Sequence, residues 1–480
     1  MKKYSFIALV ALAAWGLTSC DEYTLPNPPA QSNEQEQEFV PGDVAVTSYW
    51  ADEDITLMNF AQDVPMCQVA TSYLPEGYGI RVVAQMAQNS DFTNFGEVEC
   101  FINADSTFYM ANREEMEAAF IKINGKNPAT KSIVLRYLVY AVNGSTTYRV
   151  GSPDTYYAVT PTQMTPVGPG HAVYEEYYFV SSANGWDVAT SPLMTQSTQG
   201  DPYDNPEFFV EFATSAKDVE YKLIPNTTFV DDDHAGYRPV EPTAMEGELE
   251  FSSSLLNAGK IQFPGQYKLT ANMLDLTYRI NYNFPVLYVA SAANKTEATM
   301  LQLPTDNRTY YRGVAVLANN FWLTGTPDTP EIGFSNAEST EGDEDFSGKL
   351  LYNDKASQTA MIVDAKKAFY MVIANITDGK WSATQIKTLG AVGDFQGWDP
   401  SSAPTFSHSA DFLTWTIKGL ELNGNDFKIC GNGGWGINFG GSPDNLVVDG
   451  GNFTNYGGAG KYDITLDFSK LPYTATLTKL

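Results

Sequence analysis

Three stretches of the chain share one pattern, and they decide how the rest of the sequence is read. Residues 392–398 are Val-Gly-Asp-Phe-Gln-Gly-Trp, residues 178–186 are Tyr-Phe-Val-Ser-Ser-Ala-Asn-Gly-Trp, and residues 288–296 are Tyr-Val-Ala-Ser-Ala-Ala-Asn-Lys-Thr. Each stretch joins a short β-forming run to a turn-forming segment, which predicts a strand that ends in a tight turn. The stretches lie roughly 100 residues apart, which indicates an internal repeat.

Two further landmarks follow each opening stretch in the same order. The first is a strand-like segment near the middle of the copy, and the second is a pair of strand-like segments at its end. This order predicts three β-sandwich modules, here named repeat 1 (172–285), repeat 2 (286–388) and repeat 3 (389–480). The middle segments are 219–224, 320–324 and 426–430, and the closing pairs are 265–269 with 276–280, 367–372 with 381–384, and 460–464 with 473–477.

Residues 41–165, the leading domain, lack these landmarks. Alternating segments such as 79–84 and 133–140 predict an immunoglobulin- or fibronectin-like sandwich. One helix is predicted from Asn112 to Phe120, with Asn112 as its N-cap and acidic residues in its first turn. The proline-containing segment 160–169 predicts a linker. The fold class is therefore all-β, with tandem β-sandwich modules.

The N-terminus predicts export and lipid anchoring. Lys2 and Lys3 precede an apolar run over residues 6–17, which is shorter than the about 20 residues that span a bilayer and is typical of a signal peptide. The run ends in Leu-Thr-Ser-Cys at residues 17–20, a lipobox that predicts a signal peptide over 1–19 and acylation of Cys20. The alternative is an ordinary signal peptide with an incidental cysteine.

Residues 20–40 predict an extended, lipid-anchored linker, because they are rich in Pro, Gln and Glu and offer little to bury. Asp21 and Glu22 are similar to the acidic surface-export signal of Bacteroidetes lipoproteins, or they simply begin a solvated linker.

The formal net charge of −28 comes from acidic residues spread along the chain. Such a charge argues against nucleic acid and anionic lipid headgroups as partners, and it is compatible with a neutral ligand. Of the four cysteines, Cys67 and Cys100 fall in one domain and are either paired or free, while Cys430 stands alone without metal-ligand spacing.

The sequence offers little for catalysis. Its three histidines, His171, His234 and His408, lie in different segments, and no nucleophile, nucleotide or metalloprotease motif is present. A catalytic pair of carboxylates, as found in glycosidases, is left as an alternative, because acidic residues are abundant in the sequence. Residues 231–233, three consecutive aspartates, favour a solvated loop over a calcium site. We predict a protein without enzymatic activity, metal or cofactor.

Repeat 3 carries the side chains that suit a sugar. Trp398 ends a strand in a glycine turn, and Trp435 stands among glycines, so both rings are expected at exposed loop tips. Lys428 alternates with two apolar residues and is expected to point outward. An aromatic ring suits the C–H-rich face of a pyranose, and amides can bind its hydroxyls. Trp415 is expected in the core, and the candidate amide ligands are Asn432, Asn438 and Asn452.

These motifs resemble the glycogen- and starch-binding sandwich modules, in which two tryptophans and a lysine hold the α-glucan. The lipobox, the leading domain and the three repeats together resemble the SusE/SusF starch-binding outer-membrane lipoproteins of Bacteroidetes. The resemblance implies glycan-binding roles for Trp398, Lys428 and Trp435. In repeat 1 it implies the same for the counterparts of these residues, which are Trp186, Lys222, Asn226 and Phe229.

Repeat 2 departs from this pattern. Thr296, Trp322 and Thr329 occupy the positions of the first tryptophan, the lysine and the second aromatic residue. It is expected to be a spacer or to bind through other residues.

The resemblance implies non-catalytic binding of polysaccharide, above all starch or another α-glucan, by a lipid-anchored protein of the outer membrane that faces the cell surface. A SusC/SusD-like import complex is the implied partner. The alternatives are the same architecture with a different glycan, such as a fructan or β-glucan, or a structural, protein-docking lipoprotein.

Overall fold

The structure is a computed structural model that describes residues 43–103, 106–226, 234–253, 257–291, 296–302, 308–325, 332–340, 345–354 and 359–480. Several predictions concern residues outside this part of the chain, namely the signal peptide, Cys20, the linker over 20–40, Phe229, residues 231–233 and Thr329. One compact unit ends at Gly168, and a second runs from Pro169 to Leu480.

The first unit contains one nine-stranded sheet and a helix. These elements are β1 (Val44–Ser48), β2 (Ile55–Thr56), β3 (Asp63–Thr71), β4 (Gly79–Ala87), β5 (Phe95–Ile102), β6 (Tyr109–Asn112), α1 (Arg113–Asn124), β7 (Lys131–Asn143), β8 (Thr146–Arg149) and β9 (Tyr157–Thr165). The strand order is β1-β3-β6-β5-β4-β7-β9-β2, with β8 added beside β7. All pairings are antiparallel except that of β2 with β9. The immunoglobulin-like assignment of this domain stays a prediction.

Helix α1 confirms the sequence prediction and extends it by one turn. The Asn112 side chain accepts hydrogen bonds from the backbone N–H groups of Glu114, at 2.8 Å, and Glu115, at 3.3 Å, which satisfies two of the free donors at the helix start. The helix packs closely on β5, because a Cβ atom on Gly96 would lie only 2.7 Å from the Cβ atom of Ala119. Only glycine permits this approach between helix and sheet.

The predicted linker over 160–169 is wrong in its first half. Residues 157–165 form β9, which pairs with β7 along its length. At Pro161 the strand β9 has β7 as its neighbour but not β2, which pairs only with Met164 and Thr165, and proline is tolerated at such an edge of a sheet.

Cys67 and Cys100 are buried and unpaired. They lie on β3 and β5, which are separated in the sheet by β6. Burial raises the pKa of both thiols, to about 12 for Cys100. Of the two possibilities that the sequence left open, a disulfide or two free thiols, the structure shows free thiols at Cys67 and Cys100.

Repeat 1 forms two packed sheets that share one bent strand. Its strands are β10 (Tyr177–Ser181), β11 (Thr195–Gln196), β12 (Glu207–Thr214), β13 (Val219–Pro225), β14 (Gly236–Pro239), β15 (Glu246–Ser252), β16 (Gly259–Ile261), β17 (Gly265–Asn272) and β18 (Thr277–Tyr282). The order is β10-β13-β14-β15-β18-β17-β12-β11, with β16 beside β13. The first residues of β15 pair with β18 and its last residues with β14, so the strand passes from one sheet to the other. One cluster of apolar residues, including Tyr221 and Leu269, fills the space between them.

Repeat 2 forms a single sheet that closes on itself. Its strands are β19 (Leu287–Ser291), β20 (Thr296–Gln302), β21 (Tyr310–Leu317), β22 (Asn320–Thr324), β23 (Ile332–Thr340), β24 (Asp345–Asp354), β25 (Met361–Ile362), β26 (Ala368–Asn375) and β27 (Lys380–Gln385). The order is β19-β20-β21-β26-β27-β24-β23-β22-β25, and the additional pairing of β19 with β22 completes the ring.

Repeat 3 is a sandwich of two four-stranded sheets. Its strands are β28 (Leu389–Gly393), β29 (Ser407–His408), β30 (Thr414–Leu422), β31 (Phe427–Gly431), β32 (Gly434–Ser442), β33 (Asn445–Val448), β34 (Gly460–Asp467) and β35 (Thr474–Lys479). One sheet has the order β28-β31-β32-β33 and the other β29-β30-β34-β35. The expectation of an all-β chain with tandem sandwich-like sheets is confirmed.

The predicted landmarks occupy equivalent places in all three repeats. The opening strand pairs antiparallel with the middle strand each time, and the closing strands form a hairpin each time. The register also agrees, because Lys222 lies opposite Val180, Trp322 opposite Ala290, and Lys428 opposite Val392. The sequence alignment of these three positions is therefore confirmed at the level of the backbone.

Repeats 2 and 3 share a hydrophobic core. Val314 of β21 and Phe369 and Met371 of β26 belong to the same buried cluster as Trp415 and Ile429 of repeat 3. The proposed boundary at residue 388 therefore divides one continuous core.

Candidate functional site

The first tryptophan of repeat 3 is presented by a short left-handed turn. A 3-10 segment, Asp394–Gln396, follows β28, and then Gly397 and Trp398 have φ angles of +81° and +59°. The backbone N–H of Trp398 donates to the carbonyl of Gly393 at 3.1 Å, which closes the turn. A left-handed backbone conformation is unfavourable by about 1–2 kcal/mol for a residue other than glycine. Trp398, whose ring is half-buried, adopts this conformation, so the turn that presents the ring is strained.

The second tryptophan follows the hairpin between β31 and β32. Asn432 and Gly433 form the two-residue loop with φ angles of +53° and +65°, as a type I′ turn requires. Trp435 comes two residues later, and 43% of its surface is exposed.

The two rings lie close together, although they are 37 positions apart in the sequence. Their centroids lie 6.3 Å apart and their planes are inclined by 31°. Trp398 is half-buried and Trp435 is exposed, so together they form a partly open aromatic surface, here named the Trp398–Trp435 platform. Each ring presents an apolar face of the kind that a pyranose ring can cover.

A polar network lies beside the platform. The Nζ atom of Lys428 donates to Oδ1 of Asn438 at 2.9 Å. The amide of Asn438 in turn donates to Oδ1 of Asp449 at 2.6 Å and to the Trp435 carbonyl at 3.2 Å. Lys428 is half-buried and lies on the face opposite the core residues Phe427 and Ile429, so the prediction that it points away from the core is confirmed.

Asn438 is buried, and its amide is already hydrogen bonded at both ends. It therefore orients Lys428 and the Trp435 backbone, which is a different task from the direct sugar contact that the sequence suggested. A direct contact between Asn438 and a sugar stays a prediction.

The other two candidate asparagines form hydrogen bonds outside this polar network. Oδ1 of Asn432 accepts from the N–H groups of Lys387, at 2.8 Å, and Thr388, at 3.3 Å, and its amide donates to the Gln385 carbonyl at 2.7 Å. Asn432 thus ties the hairpin to the segment that enters repeat 3. Asn452 is exposed and donates to Oδ2 of Asp426 at 3.2 Å.

Trp415 confirms its predicted core position. Only 1% of its surface is exposed, and its indole N–H donates to the Phe412 carbonyl at 2.9 Å. Its ring packs near Phe369 of repeat 2, with the centroids 5.8 Å apart.

Repeat 1 builds the same tryptophan turn. Gly185 and Trp186 have φ angles of +69° and +64°, and the N–H of Trp186 donates to the Ser181 carbonyl at 2.9 Å. The ring of Trp186 is half-buried, and the imidazole of His234 lies 6.2 Å away between centroids. Nε2 of His234 also lies 2.9 Å from the Trp186 carbonyl oxygen. No motif in the sequence predicts that this histidine lies beside the tryptophan.

Lys222 differs from its counterpart Lys428 in exposure. It occupies the equivalent register position, but none of its surface is exposed. Its Nζ atom donates to the carbonyls of Ser252, at 3.3 Å, and His234, at 3.5 Å. Burial, together with the nearby charge of Arg238, lowers the pKa of this lysine to about 8. Lys222 therefore lacks the exposure of Lys428, because His234 and the end of β15 cover it, and its role in glycan binding stays a prediction.

Asn226 is exposed and donates to Oε2 of Glu176 at 3.2 Å. Its role in binding stays a prediction, as does that of Phe229.

Repeat 2 differs at the position of the first tryptophan. Thr296 is the first residue of a strand, β20, whereas Trp186 and Trp398 lie in left-handed turns. Trp322, at the lysine position, is half-buried. The predicted departure of this repeat is thus a change of backbone as well as of side chains.

One contributor to the repeat 3 site comes from repeat 2 and was missed by sequence reasoning. Arg312 forms an ion pair with Asp449 and donates to the Gly436 carbonyl at 2.8 Å. No motif surrounds Arg312, so the sequence held no signal for this contact.

The fold and the site define a class: tandem β-sandwich repeats in which a left-handed turn presents a tryptophan beside a lysine-bearing strand. Residues 172–282 match the family model described as the first starch-specific carbohydrate-binding module of SusF. The resemblance drawn from the sequence is thereby confirmed for repeat 1, where the chain is SusE/SusF-like.

Among solved structures, SusF from Bacteroides thetaiotaomicron is similar to this chain. The two are 15% identical with a TM-score of 0.29, and the match covers 91% of this chain and 100% of that one. No curated protein matches the chain. Within the described residues, no helix is both long enough and apolar enough to cross a membrane.

Proposed function

We propose that this protein binds polysaccharide without cleaving it, and that its ligand is starch or another α-glucan. The observation that carries the proposal is the Trp398–Trp435 platform, whose partly open rings are connected to Lys428 through Asn438. The match of residues 172–282 to a starch-specific module supports the same class of ligand.

Binding on such a surface combines two kinds of contact. When the apolar face of a sugar covers the indole rings, both surfaces lose their water, which contributes to the free energy of binding. This contribution does not require one exact orientation of the sugar. The ammonium group of Lys428 has three donors, one of which is used by Asn438, and it can donate to ring hydroxyls. Trp186 supplies a second platform in repeat 1, where the buried Lys222 makes a weaker site the expectation.

Single sites of this kind are expected to bind with dissociation constants on the order of mM to tens of μM. A polymer offers many equivalent sugars, so two sites on one chain strengthen each other through effective concentration. Weak sites on a tethered protein thus suffice to hold a long glucan.

The proposed location is the cell surface, with Cys20 acylated in the outer membrane. Two or three acyl chains hold a protein firmly at a bilayer. The proposed partner is a SusC/SusD-like import complex, to which the protein would deliver bound polymer.

A pulldown on insoluble polysaccharides tests the proposal. Residues 43–480 should be retained by insoluble starch, and a variant with Trp186, Trp398 and Trp435 all changed to Ala should be lost from it. Retention by insoluble β-glucan or fructan in place of starch would identify another glycan. Retention by none of them would overturn glycan binding, and release of reducing sugar would overturn the non-catalytic assignment.

A further inference from the structure

We propose that Arg312, a residue of repeat 2, is a positioning residue for the glycan site of repeat 3. On this view repeat 2, which has Thr296 in place of the first tryptophan, serves as the support of its neighbour. The inference rests on the proposed function in that it takes the Trp398–Trp435 platform as the binding surface.

The guanidinium of Arg312 makes two contacts across the junction of the repeats. One of its terminal nitrogens pairs with Oδ2 of Asp449, and the other donates to the Gly436 carbonyl at 2.8 Å. Gly436 directly follows Trp435, so this bond holds the backbone that carries the exposed ring. The Arg312 side chain is itself only 10% exposed, which limits its freedom and its screening by solvent.

Asp449 connects Arg312 to the lysine side of the site. Its other carboxylate oxygen accepts from the Asn438 amide at 2.6 Å, and Asn438 accepts the hydrogen bond from Lys428. The backbone N–H of Asp449 also donates to the Asn438 carbonyl at 2.9 Å. One arginine therefore acts on both parts of the site, the ring through Gly436 and the lysine through Asp449 and Asn438.

The junction around Arg312 is packed well enough to hold it in place. Val314, two residues later on β21, lies in the same buried cluster as Trp415, and its N–H donates to the Tyr473 hydroxyl at 3.3 Å. Phe369 from the adjacent strand β26 packs near Trp415. Because this core is continuous, repeat 2 presents Arg312 to repeat 3 in a fixed orientation.

Strand β20 flanks Arg312 within its own repeat. β20 pairs with β21, and Leu301 lies opposite Arg312 in that pairing.

The test uses residues 43–480 with Arg312→Gln, and it measures two quantities. The first is amide hydrogen exchange in residues 432–440, which needs no ligand and reports directly on the backbone around Trp435. We expect exchange there to be at least several-fold faster. The second is affinity for a soluble malto-oligosaccharide, which we expect to fall by roughly fivefold to tenfold, with the melting temperature within a few degrees of wild type.

The matched control is Lys418→Gln, which removes a 2.7 Å ion pair with Asp463 on the other sheet of repeat 3. It should change neither quantity. Arg312→Lys keeps the positive charge but lacks the two terminal nitrogens of a guanidinium, which reach two acceptors at once. Its exchange rate and its affinity should therefore lie between those of wild type and of Arg312→Gln. Asp449→Asn should accelerate the same exchange, and combining it with Arg312→Gln should add little.

Unchanged exchange in residues 432–440 of Arg312→Gln would overturn the inference, and so would faster exchange with undiminished affinity. If wild-type protein binds no malto-oligosaccharide, the proposed function fails, while the exchange measurement still decides whether Arg312 holds the segment around Trp435.

Discussion

Replacing Trp435 with Ala is expected to weaken glycan binding while leaving the stability of the protein nearly unchanged. The ring is 43% exposed, whereas Trp415, in the same repeat, is 1% exposed. A tryptophan offers about 250 Å² of surface, so roughly 100 Å² of Trp435 remains open to a ligand. If a sugar covers half of that, the lost contact is worth about 1.3 kcal/mol at 25 cal/mol per Å². That corresponds to about a tenfold loss of affinity.

The expected cost in stability is small by the same reasoning. Trp435 loses its tilted contact with Trp398, and such aromatic pairs contribute about 0.5–1.5 kcal/mol. Repeats 2 and 3 share one core, and for a unit of about 150–250 residues a loss of about 1 kcal/mol lowers the melting temperature by ~2–4 °C. Trp415→Ala removes a ring from the shared core and should cost about 3–5 kcal/mol, so its melting temperature should fall several times further.

Titration calorimetry with a soluble malto-oligosaccharide and thermal melts of residues 43–480 supply both quantities. Tyr148→Ala is the matched control, since this ring is 53% exposed but belongs to the first unit and to neither tryptophan turn. It should leave the affinity unchanged. Full affinity in Trp435→Ala would refute the platform, and a melting temperature that falls further in Trp435→Ala than in Trp415→Ala would refute the assignment of the sheet faces.

Three further predictions concern other parts of the chain. Cys20→Ala should abolish incorporation of radiolabelled fatty acid, and unchanged labelling would exclude acylation at this residue. Asn112→Ala should lower the free energy of unfolding by about 1 kcal/mol because two N–H groups of α1 lose their acceptor, and Asn112→Ser should lose less, as melts of the two variants would establish. Because the pKa of Lys222 is about 8 in the folded chain and 10.5 ordinarily, the unfolded chain binds more protons between these values, so this residue makes stability rise with pH from about 8 to 10.5. Lys222→Met should flatten that rise in denaturant titrations, and an unaltered pH profile would contradict the burial of the lysine.

The shared core changes how the repeats should be handled in experiments. Val314, Phe369 and Met371 of repeat 2 pack with the interior of repeat 3. A fragment that begins at residue 389 would lack these three side chains and Arg312, so the part of the repeat 3 core that they cover would be exposed to water. Point variants in residues 43–480 therefore compare the sites more reliably than isolated repeats do.

Local patterns in the sequence determined much of this protein. The strands, their repeated order and the register of Lys222, Trp322 and Lys428 all follow from alternating apolar residues and from turns at constant spacing. The Asn112 cap and the Gly-Trp turns were predictable as well, because each depends on hydrogen bonds within a few residues.

Tertiary structure alone decided which of these side chains a ligand can reach and what holds them. Lys222 and Lys428 have the same register and the same alternation, yet one is buried by segments 12 and 30 positions away and the other is not. The meeting of Trp398 with Trp435, and the reach of Arg312 to Asp449, join residues that are far apart along the chain. Periodicity reports which face of a strand a side chain occupies, but exposure depends on what the rest of the chain lays over that face.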